Sequence, residues 1–343
     1  MRAFAGATTP FFIIALLVSS PSRAEDATIA DFYRRATLTL VVGADATGDY
    51  DIAARLLSRH LGAHIPGKPN IIVQNMPGAS GIKSANWLYA AAPRDGSTLA
   101  IFNKSMALYE ATGVANTAYK SREFNWIGST GHSNDLVIVA ARTGVRTIGD
   151  ARQKIVTMGS IGAGGTMTTH PLILNNAIGT KFKLVQGYAG GQIVDLAMER
   201  GEVDGRGSYN WSDLRDKHGD LVRSGKVNIL VQFGLTREKD LPDIPTSVEL
   251  GANDLERQTF SFLSADIAIG KSFVMPAGVP AARVEAMRTA FDETMRDPEF
   301  LADARTIGAD INPATGAEVR AIVEGIVAAP TEVRDLSQKW MRE

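Results

Sequence analysis

Between residues 36 and 233 the chain alternates short apolar, β-branched runs with helical patterns, and this alternation restricts the fold more than any other feature. "ATLTLVV" (36–42) reads as a strand. Asp51 is expected to cap the next helix, with Ile52, Ala53, Leu56, Leu57 and Leu61 on one face and Gly62 and Pro66 ending it. "NIIVQN" (70–75) is a second strand, "SGIKSANWLYAAA" a second helix and "STLAIFN" (97–103) a third strand. A helix between consecutive strands carries the chain back to the same edge, so these units predict a parallel sheet.

The pattern then changes. "FNWIGST" and "DLVIVAA" are strands separated only by "GHSN". A second set follows: "KIVTMGS", a helix over 166–178, "FKLVQGY", a helix over 191–200, "EVDGRGSYN" and "VNILVQFG". After "LPDIPTSVELG" the tail is mainly helical, with Val284, Met287, Phe291 and Met295 at helical spacing on one element and Val319, Ile322, Val323 and Ile326 on another. Two α/β sets imply two lobes. The chain is expected to cross near 128–133 and return near 232–236, giving a discontinuous lobe 1 (25–130 plus 234–343) and a lobe 2 (131–233). Open α/β sheets bind ligands outside the carboxyl ends of their strands. Two such sheets facing each other make a hinged clamp.

The N-terminus reads as a secretory leader, residues 1–24. Arg2 supplies the basic start, "FFIIALLV" is too short to span a bilayer, and "SRA" places small residues before a cleavage after Ala24. Removing it deletes Arg2 and Arg23 and no acid, so the formal charge moves from -1 to -3. That balance excludes a nucleic-acid surface as partner. There is no cysteine, hence no disulfide and no lipoprotein anchor. A periplasmic protein, stabilised by large cores, is the expectation.

Five segments, in order, resemble one family: the periplasmic substrate-binding receptors of tripartite tricarboxylate transporters, also called the Bug family. "QNMPGASGIKSANWLYAAAPRDGSTLAIFN" is similar to its "PGAGGxxGA…AAPDGYTLL" segment. "GSIGAGGTMTTHPLILNNAIG" resembles its glycine-rich second-lobe turn, histidine included at His170. "GYAGGQIVDLAMERGEVDG", "GLTREKDLPDIPTSVELG" and "MPAGVPAARVEAMRTAFDETMRDPEF" resemble three further family segments. The resemblance implies a type II Venus-flytrap fold. It also implies a small organic acid as ligand and integral-membrane transporter subunits as partners, with no catalysis. Two departures stand out: the first-lobe turn "PxGGxxD" is here "GADATGDYD", and "WxGLLAPAGTP" is here "DIAIGKSFVMPAGVP".

The turn "GSIGAGGT" (159–166) is the expected grip. A phosphate loop needs G-x-x-x-x-G-K-S/T, and no lysine is present. The glycine spacing also misses the dinucleotide fingerprint. What remains is general: Gly162, Gly164 and Gly165 let amides converge at a helix N-terminus, where partial positive charge suits a carboxylate, with Ser160, Thr166 and Thr168 as hydroxyl donors. The same residues would also serve as a ligand-free strand–helix turn, and the resemblance favours the grip. Gly48, Asp49 and Tyr50 form the opposite jaw. Asp49 either faces solvent or bonds a hydroxyl or cationic group of the ligand, which keeps open a receptor for an amino acid or cationic solute. Tyr188 and Gly190 repeat the strand–turn–helix pattern, and Asn103, Ser129 and Asn210 stand at strand ends near the cleft. His60 and His64 are four apart, but Gly62 and Pro66 break the helix and no HExxH glutamate is present, so no metal is expected. "GASGI" is not a hydrolase elbow, and no cofactor is expected. Trp87, Met287 and Phe291 read as core. The expectation is a monomer.

Overall fold

The computed structural model describes residues 21–46, 48–162 and 165–342. The first segment contains α1 (Pro21–Arg35), β1 (Thr37–Val42), α2 (Asp49–His64), β2 (Asn70–Asn75), α3 (Ile82–Ala90), β3 (Thr98–Ile101), α4 (Met106–Ala111) and β4 (Asn125–Ser129). The middle contains β5 (Asp135–Ala140), β6 (Val156–Ser160), α5 (Thr166–Ile178), β7 (Phe182–Gln186), α6 (Gly191–Arg200), β8 (Gly205–Asn210), α7 (Trp211–Arg223) and β9 (Val227–Phe233). The last contains α8 (Asp254–Ile269), β10 (Ser272–Met275), α9 (Ala281–Thr294), α10 (Pro298–Thr306), β11 (Ala314–Thr315), α11 (Gly316–Val327) and α12 (Thr331–Met341). The expected leader lies outside the described residues up to residue 20. No described helix is long and apolar enough to cross a membrane.

The strands form two sheets, ordered β11-β4-β10-β3-β1-β2 and β7-β6-β8-β5-β9. The fold is α/β, built on two sheets with helices packed against them. The three strands read as βαβ units, β1, β2 and β3, form the parallel arrangement expected of them, and antiparallel strands join both sheets. β1 runs parallel to β2 and β3, and β6 to β7 and β8, as helical crossovers require. β10 is antiparallel to β3 and β4, and β5 to β8 and β9. The connection between β4 and β5 is too short for a parallel crossover, so the chain passes directly from one sheet to the other and β5 enters against the helix-linked strands.

Cores form on the faces that the periodicities mark. Leu40, Leu57, Ile101, Phe273 and Phe291 pack between the first sheet, α2 and α9. Gly128 on β4 makes room for this packing: a Cβ there would stand 2.4 Å from Phe291 Cε1. Ile138, Val194, Val203 and Leu214 pack under α6 and α7 on the second sheet. A third cluster joins Trp126 of the first sheet to Phe233 of the second, together with Phe260 and Trp340. Met287 and Phe291 are fully buried, whereas Trp87 is half-buried at the edge of its core. The C-terminal helix α12 packs on both α8 and α5, and Asn176 Nδ2 donates to Trp340 O at 2.9 Å, so the tail fastens the two sheets together.

Candidate functional site

Two adjoining cavities of about 210 and 440 Å³ lie between the sheets. They share Tyr50, Asn103, Thr166 and Met167, so they are two chambers of one cleft. The larger is walled by the loops 43–45 and 77–81 from one side and by 160–162 and 165–167 from the other. We call it the turn chamber. The smaller is floored by Gly131, Ser133, Gly270 and Lys271 on the inter-sheet crossings, and we call it the hinge chamber.

The turn chamber is built from helix starts. The N-caps of α2, α3 and α5 are Gly48, Gly81 and Gly165, and none carries a side-chain cap. The first residues of these helices therefore keep amides that no side chain has claimed. Gly81 has φ 95°, a left-handed conformation that favours glycine, and a Cβ there would press on the Asn103 amide at 3.3 Å. Asp51 does not cap α2, contrary to expectation. The helix starts earlier, and the buried Asp51 carboxylate instead accepts from Arg55 Nε at 2.8 Å and Asn75 Nδ2 at 2.9 Å.

Asp49, Tyr50, Asn103, Thr166 and Asn210 line the hinge chamber, and Ser160, Gly162 and Gly165 line the turn chamber. Gly164 lies outside the described residues. Five expected residues line neither chamber. Gly48 is exposed. Ser129 is fully buried between its partners Ser272 and Ala314. Thr168 is buried and donates to Gly162 O at 2.6 Å, so it shapes the turn from behind. Tyr188 packs its ring on Gly159 in the second-sheet core, and Gly190 caps α6 away from the cleft. Ser160 spends its hydroxyl on Thr168, and Thr166 donates its own to Ser208 Oγ at 3.0 Å.

The sequence reading missed the charged floor. Lys104, directly after Asn103, places Nζ 2.8 Å from Asp135 Oδ2. Asp135 opens a strand that is buried along its whole length, and that placement is the signal that could have flagged it. Ser208 Oγ donates to the same oxygen at 3.1 Å. Burial works against the charge on Lys104, but Asp135 and Asp266 outweigh it and its pKa is raised. Burial likewise opposes the Asp135 carboxylate, yet Lys104 and its hydrogen bonds hold it below the usual range. The pair is thus ionised on both sides. Asp266, on the buried face of α8, accepts from Ser105 Oγ at 2.5 Å, and burial raises its pKa. Tyr50 accepts the Lys104 amide at 3.1 Å, and burial pushes its hydroxyl up to about 12. His170 sits behind the grip with Nδ1 3.2 Å from Gly207 O, and does not line either chamber. His60 and His64 contact Asp303 and Asp297 at 2.9 Å, tying α2 to α10 and its cap. The cleft offers polar anchoring.

Known proteins share this organisation. The UPF0065 protein in the gbd 5' region of Cupriavidus necator is 27% identical over 292 residues, covering 83% of this chain and 81% of that protein. A solute-binding protein from Polaromonas, solved without ligand, superposes with a TM-score of 0.64 at 19% identity, covering 90% of this chain and 98% of the other. An R. palustris protein solved with adipate gives a TM-score of 0.64 at 20% identity over 88% and 97% of the two chains. MatC of Rhodopseudomonas palustris, solved with malate, gives 0.61 at 18% over 88% and 99%. The profile of the tripartite tricarboxylate transporter family receptor matches residues 54–321. Since that match runs through strands of both sheets, the chain belongs to the tripartite tricarboxylate transporter receptors, a family of solute-binding receptors and not of enzymes.

Proposed function

We propose that the protein captures a small organic carboxylate in the periplasm and delivers it to a tripartite tricarboxylate-type membrane transporter. One observation carries the ligand class: the starts of α2, α3 and α5, all lacking side-chain caps, open on one cleft. Hydrogen bonds to a charged group contribute about 1.5–3 kcal/mol each, and a helix N-terminus adds roughly 0.3–1 kcal/mol for an anion. In this reading Gly162, Gly165 and Thr166 grip the carboxylate and the turn of Asp49 and Tyr50 closes from the other lobe. The adipate and malate held by the two R. palustris proteins support the class. In this reading the lobes are 25–130 plus 234–343 and 131–233, hinged at the crossings. Export rests on the leader, and the mature chain then begins at Glu25.

Thermal unfolding against a library of small acids and amines tests the reading. A ligand at one hundred times its Kd adds about 2.7 kcal/mol of stability. Stabilisation by acids supports it. Stabilisation by none of the acids overturns it.

A further inference from the structure

We infer that the ligand carries a protonated amine at the end away from its carboxylate, and that Asp135 receives this amine in the hinge chamber. The inference rests on the carboxylate reading above and narrows its class to short amino-carboxylic acids.

The two chambers differ in charge. Beside Tyr50, the only ionisable side chain lining the turn chamber among the described residues is Asp45, so backbone amides dominate there. The hinge chamber holds cations, but its buried ones are already occupied. Lys104 is bound to Asp135. Arg206 Nη1 meets both oxygens of Asp195 at 2.9 Å, and its guanidinium lies 4.1 Å over the Tyr209 ring. Lys271 is part-exposed, where water and salt screen it. Among the described residues, a second carboxylate entering this chamber would meet no buried lysine or arginine free to pair with it, and His132, whose Nδ1 is buried without a partner, is the remaining basic side chain on the lining.

The acids are less well matched. Asp135 is 3% exposed, lines the chamber, and puts both its hydrogen bonds on Oδ2. Its Oδ1 accepts nothing from the described residues. Behind Lys104, Asp266 is 2% exposed and its Oδ1 is buried without a partner. One lysine therefore serves two buried carboxylates. Asp49 adds a further carboxylate at the chamber's exposed edge. A buried carboxylate oxygen short of a donor favours an ammonium group and disfavours both a methyl end and a second carboxylate.

The spacing sets the ligand length. Thr166 Oγ1 donates to Ser208 Oγ at 3.0 Å, and Ser208 Oγ to Asp135 Oδ2 at 3.1 Å. The grip and the acid are thus at most two hydrogen-bond lengths apart at these atoms. An amine within a few carbons of its carboxylate spans that gap.

Calorimetric titration of the intact protein with straight chains of four, five and six carbons tests this. Each length is offered as the ω-amino acid, the monoacid and the diacid: 4-aminobutyrate, butyrate and succinate at four carbons. The expected result is an ω-amino acid at least about tenfold tighter than its monoacid and diacid. Asp135→Asn should abolish that preference and, by freeing Lys104, turn it toward the diacid. If thermal unfolding shows that variant unfolded, Lys104→Met/Asp135→Asn replaces it and should lose the amine preference without gaining the diacid. A diacid that outbinds its amino analogue, equal binding of amine and methyl ends, or an amine preference that survives the loss of Asp135 each overturn the inference and leave the carboxylate reading intact. If no acid binds at any length, the carboxylate reading fails and this inference falls with it.

Discussion

His170 lies flat on Phe233, with ring centroids 3.7 Å apart and planes 2° from parallel. The stack joins α5, which begins at Thr166 on the cleft wall, to the last strand of the second sheet. Burial lowers the histidine pKa to about 4, with Lys104 adding to the effect and Asp135 opposing it. The imidazole is neutral in the fold and acts as a packing group with one hydrogen bond.

That depression makes stability depend on pH. Above the unfolded value of about 6.5 the ring is neutral in both states and has no effect. Below it the unfolded chain takes up a proton that the fold refuses, so stability falls until the pH passes the folded value. From about pH 7.5 to about pH 5 this residue should cost about 2 kcal/mol. Urea unfolding at the two pH values checks it. His170→Phe, which keeps a ring on Phe233 and removes the titrating group, should lose that part of the dependence.

The Lys104–Asp135 pair should be costly to break from one side. Lys104→Met leaves Asp135 buried without its counter-ion and should destabilise the fold by about 3–5 kcal/mol. Adding Asp135→Asn should restore much of the loss. Urea melts of the two single variants and the double variant give the coupling. Additive effects would mean that the two charges do not depend on each other.

Gly207 controls how closely α5 sits on β8. A Cβ there would lie 2.4 Å from Pro171 Cγ and 2.5 Å from Met167 O. Met167 lines both chambers, so the close approach also places the cleft wall. Gly207→Ala should destabilise by about 1–3 kcal/mol through overpacking and weaken binding of the acid found by thermal screening. Unfolding and titration of one preparation check both outcomes.

Helices and most strands were legible because their signals are local. Glycine turns followed by apolar periodicity marked α5 at 166–178 and α6 at 191–200, and both occur with those bounds. β10 was not legible in a tail read as mainly helical, since its neighbours β3 and β4 are distant in sequence. Asp51 was placed on the right helix at the wrong position, because its partners Arg55 and Asn75 become visible only when α2 meets β2. Of the residues expected around the 159–166 turn, Gly162, Gly165 and Thr166 line the cleft, while Thr168 bonds Gly162 O and Tyr188 packs on Gly159. Lys104 and Asp135 are single charges 31 residues apart with no spacing rule to join them. Only the meeting of two sheets makes them a pair.

The grip itself can be separated from the fold at Gly165. Its φ of -79° suits any residue, and among the described residues an added Cβ would meet only Gly162 O, at 3.8 Å, an ordinary contact. A valine there stands beside the amides that open α5. Gly165→Val should therefore leave stability within about 0.5 kcal/mol of wild type. Its branched side chain would occupy the space a carboxylate needs to reach those amides. Losing one charge-assisted hydrogen bond of about 1.5–3 kcal/mol weakens binding by roughly ten- to a hundredfold. Calorimetric titration of the folded variant, with a urea melt on the same sample, reads both quantities. Gly81→Ala is the contrasting case: its left-handed φ should lower stability by about 1 kcal/mol or more whether or not a ligand is present. Wild-type affinity in Gly165→Val would remove the α5 turn from the site and leave it a plain strand–helix connection.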